Sequence, residues 1–83
     1  MSAQKIGVIG GGLMGHGIAY LLAAAGHAIG VFEPTPEIRA TLSKRLRVIA
    51  DLFGDDPALL ENVSAHDQLA PAVAGASFVF EAA

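Results

Sequence analysis

The sequence predicts an α/β fold built on a parallel sheet, and three features of its first half support that prediction. The apolar run Ile6–Ile9 leads directly into the glycine-rich segment Gly10–Gly15. An apolar segment that suits a helix comes next, and a second apolar run at 28–32 ends at Glu33. No Asp, Glu, Lys or Arg occurs between Ile6 and Phe32, which suits strands that are covered on both faces.

The first half of the chain is expected to form two strands and two helices. Residues 5–9 and 28–32 are predicted as strands, and 13–25 as a helix that ends at Gly26. A second helix is predicted over 36–52, with Thr35 as its N-cap and Pro36 in its first turn. Helical periodicity predicts the side chains that cover the sheet: Leu13, Ile18, Leu21, Leu22 and Ala25, then Ile38, Leu42, Leu46, Ile49 and Phe53. The basic residues of the second helix are expected on its solvated face: Arg39, Lys44, Arg45 and Arg47.

Shorter elements are predicted in the second half. Residues 54–57 form a turn, 58–62 a short helical piece and 63–65 a short strand. Asp67 is expected to cap another short helix that ends at Gly75, before a strand at 77–81. This alternating order predicts a Rossmann-type, doubly wound parallel sheet. Natural proteins avoid an apolar strand at an open edge, so we expect residues 1–83 to be the N-terminal portion of a longer protein.

The segment Gly10–Gly15 has the pattern G-x-G-x-x-G between a predicted strand and a predicted helix, which is typical of dinucleotide binding. Gly10 allows a sharp turn, Gly12 lets a pyrophosphate approach the backbone, and Gly15 lets the helix pack close to the strand. The unpaired N–H groups at the helix start would bind the diphosphate. A P-loop would require Gly-Lys-Ser/Thr after the glycines, and none is present.

Glu33 lies 18 residues after Gly15, at the end of the second predicted strand. A carboxylate at this place can accept hydrogen bonds from both hydroxyls of an adenosine ribose. The same carboxylate would repel a 2′-phosphate, and the closest downstream Arg, Arg39, is six residues away. The sequence therefore predicts NAD rather than NADP as the cofactor.

Composition excludes several classes of protein. The chain has 83 residues, a net charge of −3 and 53% hydrophobic residues, so disorder and nucleic-acid or anionic-membrane binding are disfavoured. It contains no Cys, which excludes disulfides and thiolate metal sites and is compatible with the cytoplasmic location we expect. The uncharged stretch is long enough to span a bilayer, but the consecutive glycines Gly10–Gly12 argue against a membrane helix or a secretory signal. His16, His27 and His66 lack the spacing of metal ligands, so no metal is expected.

The segment Lys5–Ala19 closely resembles the opening of the 3-hydroxyacyl-CoA dehydrogenases. The features that match are the Leu-Met pair inside the glycine motif, the Gly-Ile-Ala that follows it, and Ala-Ala-Gly-His at 24–27. Glu33-Pro34 resembles the acidic position of that family, and Phe80-Glu81-Ala82 resembles its Glu-Ala signature. The resemblance is strong over 5–33, weak over 51–74 and moderate over 77–83.

The resemblance implies an enzyme that oxidises the 3-hydroxyl of a 3-hydroxyacyl-CoA and passes hydride to NAD. Such enzymes join an N-terminal Rossmann domain to a helical C-terminal domain that binds the acyl-CoA substrate and forms a homodimer. The cofactor-binding residues it implies are Gly10, Gly11, Gly12, Leu13, Met14 and Gly15 at the pyrophosphate, Glu33 at the ribose and Ala82 in the cleft. The catalytic His, Glu, Ser and Asn of the family would lie beyond residue 83, so no catalytic residue is expected here.

Three alternatives share parts of this pattern. Dehydrogenases of small hydroxy compounds such as gulonate or carnitine have the same opening. The β-hydroxyacid dehydrogenases also carry G-x-G-x-M-G, but they generally use a catalytic Lys and often prefer NADP. A non-catalytic NAD-binding module is the third alternative, because fold alone does not determine function.

Overall fold

The computed structural model describes residues 3–82, with the exception of the side chain of Leu13. The elements follow the predicted order closely. They are β1 (Lys5–Ile9), α1 (Leu13–Ala24), β2 (Ala28–Phe32), α2 (Pro36–Phe53), a 3₁₀ turn (Pro57–Asn62), β3 (Val63–His66), α3 (Leu69–Val73) and β4 (Phe78–Glu81).

The described residues form a four-stranded parallel sheet with the order β3-β2-β1-β4. Gly7 lies opposite Gly30 in the β1–β2 pair and opposite Val79 in the β1–β4 pair. This topology confirms the predicted α/β, Rossmann-type fold. β4 pairs with β1 and lies at one edge of the sheet. Its side chains Phe78 and Phe80 are exposed, as expected for an apolar edge strand.

The two faces of the sheet are built differently, because successive side chains of a strand point to opposite faces. Ile6, Val8, Ile29 and Val31 point to the face that packs against α1 and α2, and they form the core with residues of those helices. On the other face Gly7 and Gly30 lie side by side under α3. A Cβ at Gly30 would overlap the carbonyl oxygen of Ala72, so only glycine allows α3 to lie this close.

Helix α1 buries a different face from the one predicted. Leu21 is 65% exposed and Ala25 is exposed, whereas Ala19, Tyr20 and Ala23 are buried. Small residues at positions 15, 19 and 23, each four apart, let the helix approach the sheet closely. That approach turns Leu21 towards solvent. Ile18 and Leu22 are half-buried beside the core, as predicted, and the prediction for Leu13 lies outside the described residues.

Helix α2 buries Leu42 and Leu46 as predicted, together with Ala50, while Ile38 and Ile49 are half-buried. Phe53 was predicted to cover the sheet, and this is wrong, since it is the last residue of α2 and is 66% exposed. Its ring instead contacts the edge of the Tyr20 ring, with centroids 5.8 Å apart.

One predicted helix cap is confirmed in position and one is not. Thr35 is the N-cap residue of α2, as predicted, although its side chain makes no capping bond. α3 begins after Gln68 rather than Asp67, and no side chain caps it. The stops at Gly26 and Gly75 are confirmed, since both adopt the left-handed conformation that glycine tolerates best.

Tyr20 connects α1 to the loop that follows α2. Its hydroxyl donates a hydrogen bond to a carboxylate oxygen of Asp55, and its side chain is almost completely buried. The hydrogen bond to Asp55, the burial of the phenol and the negative charge of Asp55 together raise the pKa of Tyr20 to about 12.

We expect the single tyrosine of this chain to ionise near pH 12 in the folded state and near pH 10 after unfolding. Because the folded-state pKa is raised, this stabilising contribution is complete below pH 10 and is lost as the pH rises from about 10 to 12. An absorbance titration of the phenolate, followed in parallel by circular dichroism, measures it. Asp55→Ala removes both the hydrogen-bond acceptor and the charge, and should move the midpoint towards 10. A midpoint that stays at about 12 in this variant would contradict the assignment to Asp55.

Candidate functional site

The candidate site lies where the carboxyl ends of β1, β2 and β4 meet. Backbone bonds continue one residue past each strand: Gly10 donates to the carbonyl of Phe32 (2.7 Å) and Ala82 donates to that of Ile9 (2.8 Å). β2 and β3 lie on one side of β1 and β4 on the other, so the chain direction across the sheet reverses beside β1. Ligands of open α/β sheets bind in the crevice at such a point.

The glycine loop is shaped by two steric requirements. Gly10 has a φ of +102°, which a residue with a side chain rarely adopts, and it turns the chain out of β1. A Cβ at Gly15 would overlap the carbonyl oxygen of Gly10 and lie 2.7 Å from its carbonyl carbon. The start of α1 therefore lies against the end of β1, which is the packing role predicted for this glycine.

Gly12 has a different environment from Gly15. It is the N-cap residue of α1, and no atom lies within 4 Å of the position a Cβ would take. Steric crowding therefore does not require a glycine at this position. The open space beside its backbone is consistent with the prediction that a ligand approaches there, next to the unpaired N–H groups of the helix start.

Glu33 is the buried acidic residue of the site, with 6% of its surface exposed. One carboxylate oxygen accepts the backbone N–H of Gly11 at 2.7 Å, and the other accepts that of Thr35 at 2.9 Å. A Cβ at Gly11 would lie 3.4 Å from the Cβ of Glu33, which is an ordinary van der Waals contact, so Gly11 contributes through its backbone N–H. The carboxylate thus joins the glycine loop to the start of α2.

The environment of Glu33 favours its ionised form. Burial by itself raises the pKa of the carboxyl group, but the hydrogen bonds from Gly11 and Thr35 and the charge of Arg39 outweigh it, and the pKa lies below its ordinary value. An ionised carboxylate only accepts hydrogen bonds and has room for about four. Glu33 can therefore accept further bonds from hydroxyl groups of a ligand.

A cavity of about 330 Å³ adjoins this carboxylate. Most of its wall is apolar, and Glu33 is the charged residue among those that line it: Ile9, Gly10, Gly12, Phe32, Glu33, Pro34, Ile38 and Ala82. An apolar slot beside an acceptor of hydrogen bonds suits an aromatic base attached to a sugar. The residues present therefore fit an adenosine group, with its diphosphate towards the glycine loop.

The structure brings most of the predicted site residues together. Gly10, Gly12, Glu33 and Ala82 line one cavity, and Gly11 and Gly15 contact members of that set. Met14 is 70% exposed at the first turn of α1, and the side chain of Leu13 lies outside the described residues. The individual ligand contacts of these residues remain predictions.

Arg39 was expected on the solvated face of α2 and away from Glu33, and that expectation is wrong. The residue is half-buried, and its guanidinium donates a hydrogen bond to the backbone carbonyl of Glu33 at 2.7 Å. A signal for this contact was present in the sequence. Long side chains of a helix point towards its N-terminus, and Arg39 follows the predicted N-cap Thr35 by four residues.

The histidines of the chain have local structural contacts. A ring nitrogen of His16 lies 2.6 Å from the carbonyl oxygen of Gly12, that of His27 accepts the N–H of Gln4, and that of His66 contacts the hydroxyl of Ser64. Within residues 3–82 no group of three His, Asp or Glu side chains is arranged to hold a metal ion. No helix in the same range combines the length and apolar character needed to cross a membrane.

Solved structures of dehydrogenases and reductases share this fold. The chain superposes on a diketoreductase with a TM-score of 0.84 and 26% identity, covering 100% of this chain and 33% of the other. M. tuberculosis FadB2 gives a TM-score of 0.84 and 27% identity, with coverages of 100% and 32%. The (S)-3-hydroxybutyryl-CoA dehydrogenase PaaH1 from Ralstonia eutropha superposes with a TM-score of 0.76 and 22% identity, covering 99% of this chain and 31% of the other. This similarity shows the fold alone.

The chain spans about a third of the length of these solved structures. A comparison of its sequence with curated proteins gave no match. The family model described as the NAD binding domain of 3-hydroxyacyl-CoA dehydrogenase matches residues 5–83, which is nearly the whole chain. The chain therefore belongs to the NAD-binding domain family of the 3-hydroxyacyl-CoA dehydrogenases, and its cofactor is NAD.

Proposed function

We propose that this chain is the NAD-binding part of a cytoplasmic, homodimeric dehydrogenase that interconverts 3-hydroxyacyl-CoA and 3-ketoacyl-CoA. The observation that carries the proposal is the site at the sheet edge. A buried, ionised Glu33 lies beside the open backbone of Gly12, in a domain of this family. The acyl-CoA substrate and the dimer rest on the family resemblance.

Each residue of the site has a binding role in this proposal. The carboxylate of Glu33 accepts hydrogen bonds from the two hydroxyls of the adenosine ribose, and it disfavours a 2′-phosphate. The N–H groups at the start of α1 bind the diphosphate beside Gly12. Ala82, whose N–H is bonded to Ile9, closes the cleft between β1 and β4.

Bound NAD supplies the hydride acceptor for oxidation of a secondary alcohol. The chain's own residues orient that cofactor and exclude water from the adenosine end of the cleft. We assign no catalytic residue to this chain. We propose that the general base lies outside residues 1–83 and is a group whose pKa is close to 7, such as His. The residues that bind the acyl-CoA are proposed to lie there as well.

The direct test is oxidation of NADH by the protein that contains this chain, with acetoacetyl-CoA as substrate. We expect rapid turnover with NADH and little with NADPH, since Glu33 repels the 2′-phosphate. NADH binding is measured separately by fluorescence titration. Binding without turnover of acetoacetyl-CoA would overturn the proposed substrate and would favour a small hydroxy compound or a non-catalytic NAD-binding module.

A further inference from the structure

We infer that Arg39 is a positioning residue for NAD recognition, which holds the backbone of Glu33 so that its carboxylate faces the cleft. The inference rests on the proposed role of Glu33 at the adenosine ribose. It adds a residue that the glycine motif and the acidic position do not include.

The contact that carries the inference connects the first turn of α2 to the end of β2. The backbone N–H of Arg39 donates to the carbonyl of Thr35 at 3.0 Å, which places the residue in the regular start of the helix. Its side chain reaches back past Thr35, and Nη1 donates to the carbonyl oxygen of Glu33 at 2.7 Å. Such charge-assisted bonds are shorter and stronger than neutral ones.

With this bond, every polar group of Glu33 has a partner. Its N–H donates to the carbonyl of His66 at 2.9 Å, and its two carboxylate oxygens accept from Gly11 and Thr35. The carbonyl is the remaining group, and Arg39 is its partner. Loss of Arg39 would leave the corner between β2 and α2 without the bond that fixes the peptide following Glu33.

Arg39 lies outside the cleft that is lined by Glu33. Its side chain lies with Leu42, Leu46 and Val63 in the space between α2 and β3. Glu33 instead lines the cleft with Gly10 and Gly12. A cation in this position supports the carboxylate through the backbone and through its charge, and it does not line the cavity assigned to the cofactor.

The test is a set of NADH affinities measured with the protein that contains this chain. Arg39→Met removes the donor and the charge but keeps an apolar stem, whereas Arg39→Lys keeps a charge and a donor. We expect Arg39→Met to weaken NADH about fivefold, in the range of couplings between contacting residues. Arg39→Lys should restore the affinity to within about twofold. Circular dichroism confirms that each variant is folded.

Coupling to Glu33 separates positioning from a general structural role. In a Glu33→Gln background, Arg39→Met should change NADH affinity less than about twofold. Equal losses in both backgrounds would overturn the inference. So would a selective loss of NADPH affinity in the Glu33→Gln background, because the guanidinium would then contact the phosphate directly.

A ligand-side comparison gives the same test without a variant of Glu33. With an NADH analogue that lacks both hydroxyls of the adenosine ribose, the effect of Arg39→Met should largely disappear. A full effect with the analogue would overturn the inference, as would a wild-type protein that binds NADH and the analogue equally. These are binding measurements, so a failure to turn over acetoacetyl-CoA would overturn the proposed substrate and leave this inference standing.

Discussion

Replacing Gly15 by alanine is expected to destabilise the fold and to abolish high-affinity NADH binding. The added Cβ would overlap the carbonyl oxygen of Gly10 and lie 2.7 Å from its carbon, and both are backbone atoms that side-chain motion cannot clear. Either α1 must move away from β1 or the turn at Gly10 must open. Overpacking of this kind costs about 1–3 kcal/mol, and the displaced loop no longer presents its N–H groups to the diphosphate.

The matched control for this variant is Gly17→Ala, on the same helix two residues later. No atom lies within 4 Å of the Cβ position at Gly17, so alanine should be neutral or stabilise the helix by up to about 1 kcal/mol. Urea denaturation and NADH titration of both variants measure the difference. The same stability and affinity for Gly15→Ala as for Gly17→Ala would contradict the close helix–strand packing.

Replacing Glu33 by alanine is expected to produce the second large loss. The change removes the acceptor for ribose hydroxyls and leaves the N–H groups of Gly11 and Thr35 without their carboxylate partner. Hydrogen bonds to charged groups contribute about 1.5–3 kcal/mol, so NADH affinity should fall about 10- to 100-fold. Isothermal titration of NADH against the protein that contains this chain measures the loss.

The control for Glu33→Ala is Glu37→Ala, which removes an exposed carboxylate from the first turn of α2. Its NADH affinity should stay within about twofold, because exposed charges contribute little. If the two variants lose affinity equally, long-range charge rather than a ribose contact explains the effect.

The difference in stability between the wild type and the Glu33→Ala variant should also depend on pH in a defined direction. The pKa of Glu33 is lowered in the folded chain, so its contribution is complete above about pH 4.3, the ordinary Glu value. It is lost as the pH falls through the lowered pKa. The difference in unfolding free energy between wild type and variant should therefore narrow in acid.

The parts of the fold that the sequence predicted are those determined by local chemistry. The turn at Gly10, the stop at Gly26 and the first turn of α2 at Pro36 each follow from the backbone preferences of one or two residues. The strands at 5–9 and 28–32 follow from apolar runs that only a covered parallel sheet can bury. The acidic residue after β2 follows from its spacing to the glycine motif.

Errors arose where a residue's surroundings depend on how neighbouring elements pack together. Leu21 was expected in the core because it fits the helical periodicity, but the approach of Gly15 to the Gly10 carbonyl rotates that face of α1 outwards. Arg39 was expected in solvent because it lies off the apolar stripe of α2 or on its margin. Its partner is the carbonyl of Glu33, a backbone group whose position depends on the corner between β2 and α2.

The sequence by itself determined the α/β class, the order of the elements, the dinucleotide motif and Glu33 as its acidic partner, because these depend on residue type and spacing. The tertiary structure alone decided the pairing of Gly7 with Gly30 under α3 and the buried face of α1. Strand register and close backbone approach determine these features, and both arise only when distant segments pack together.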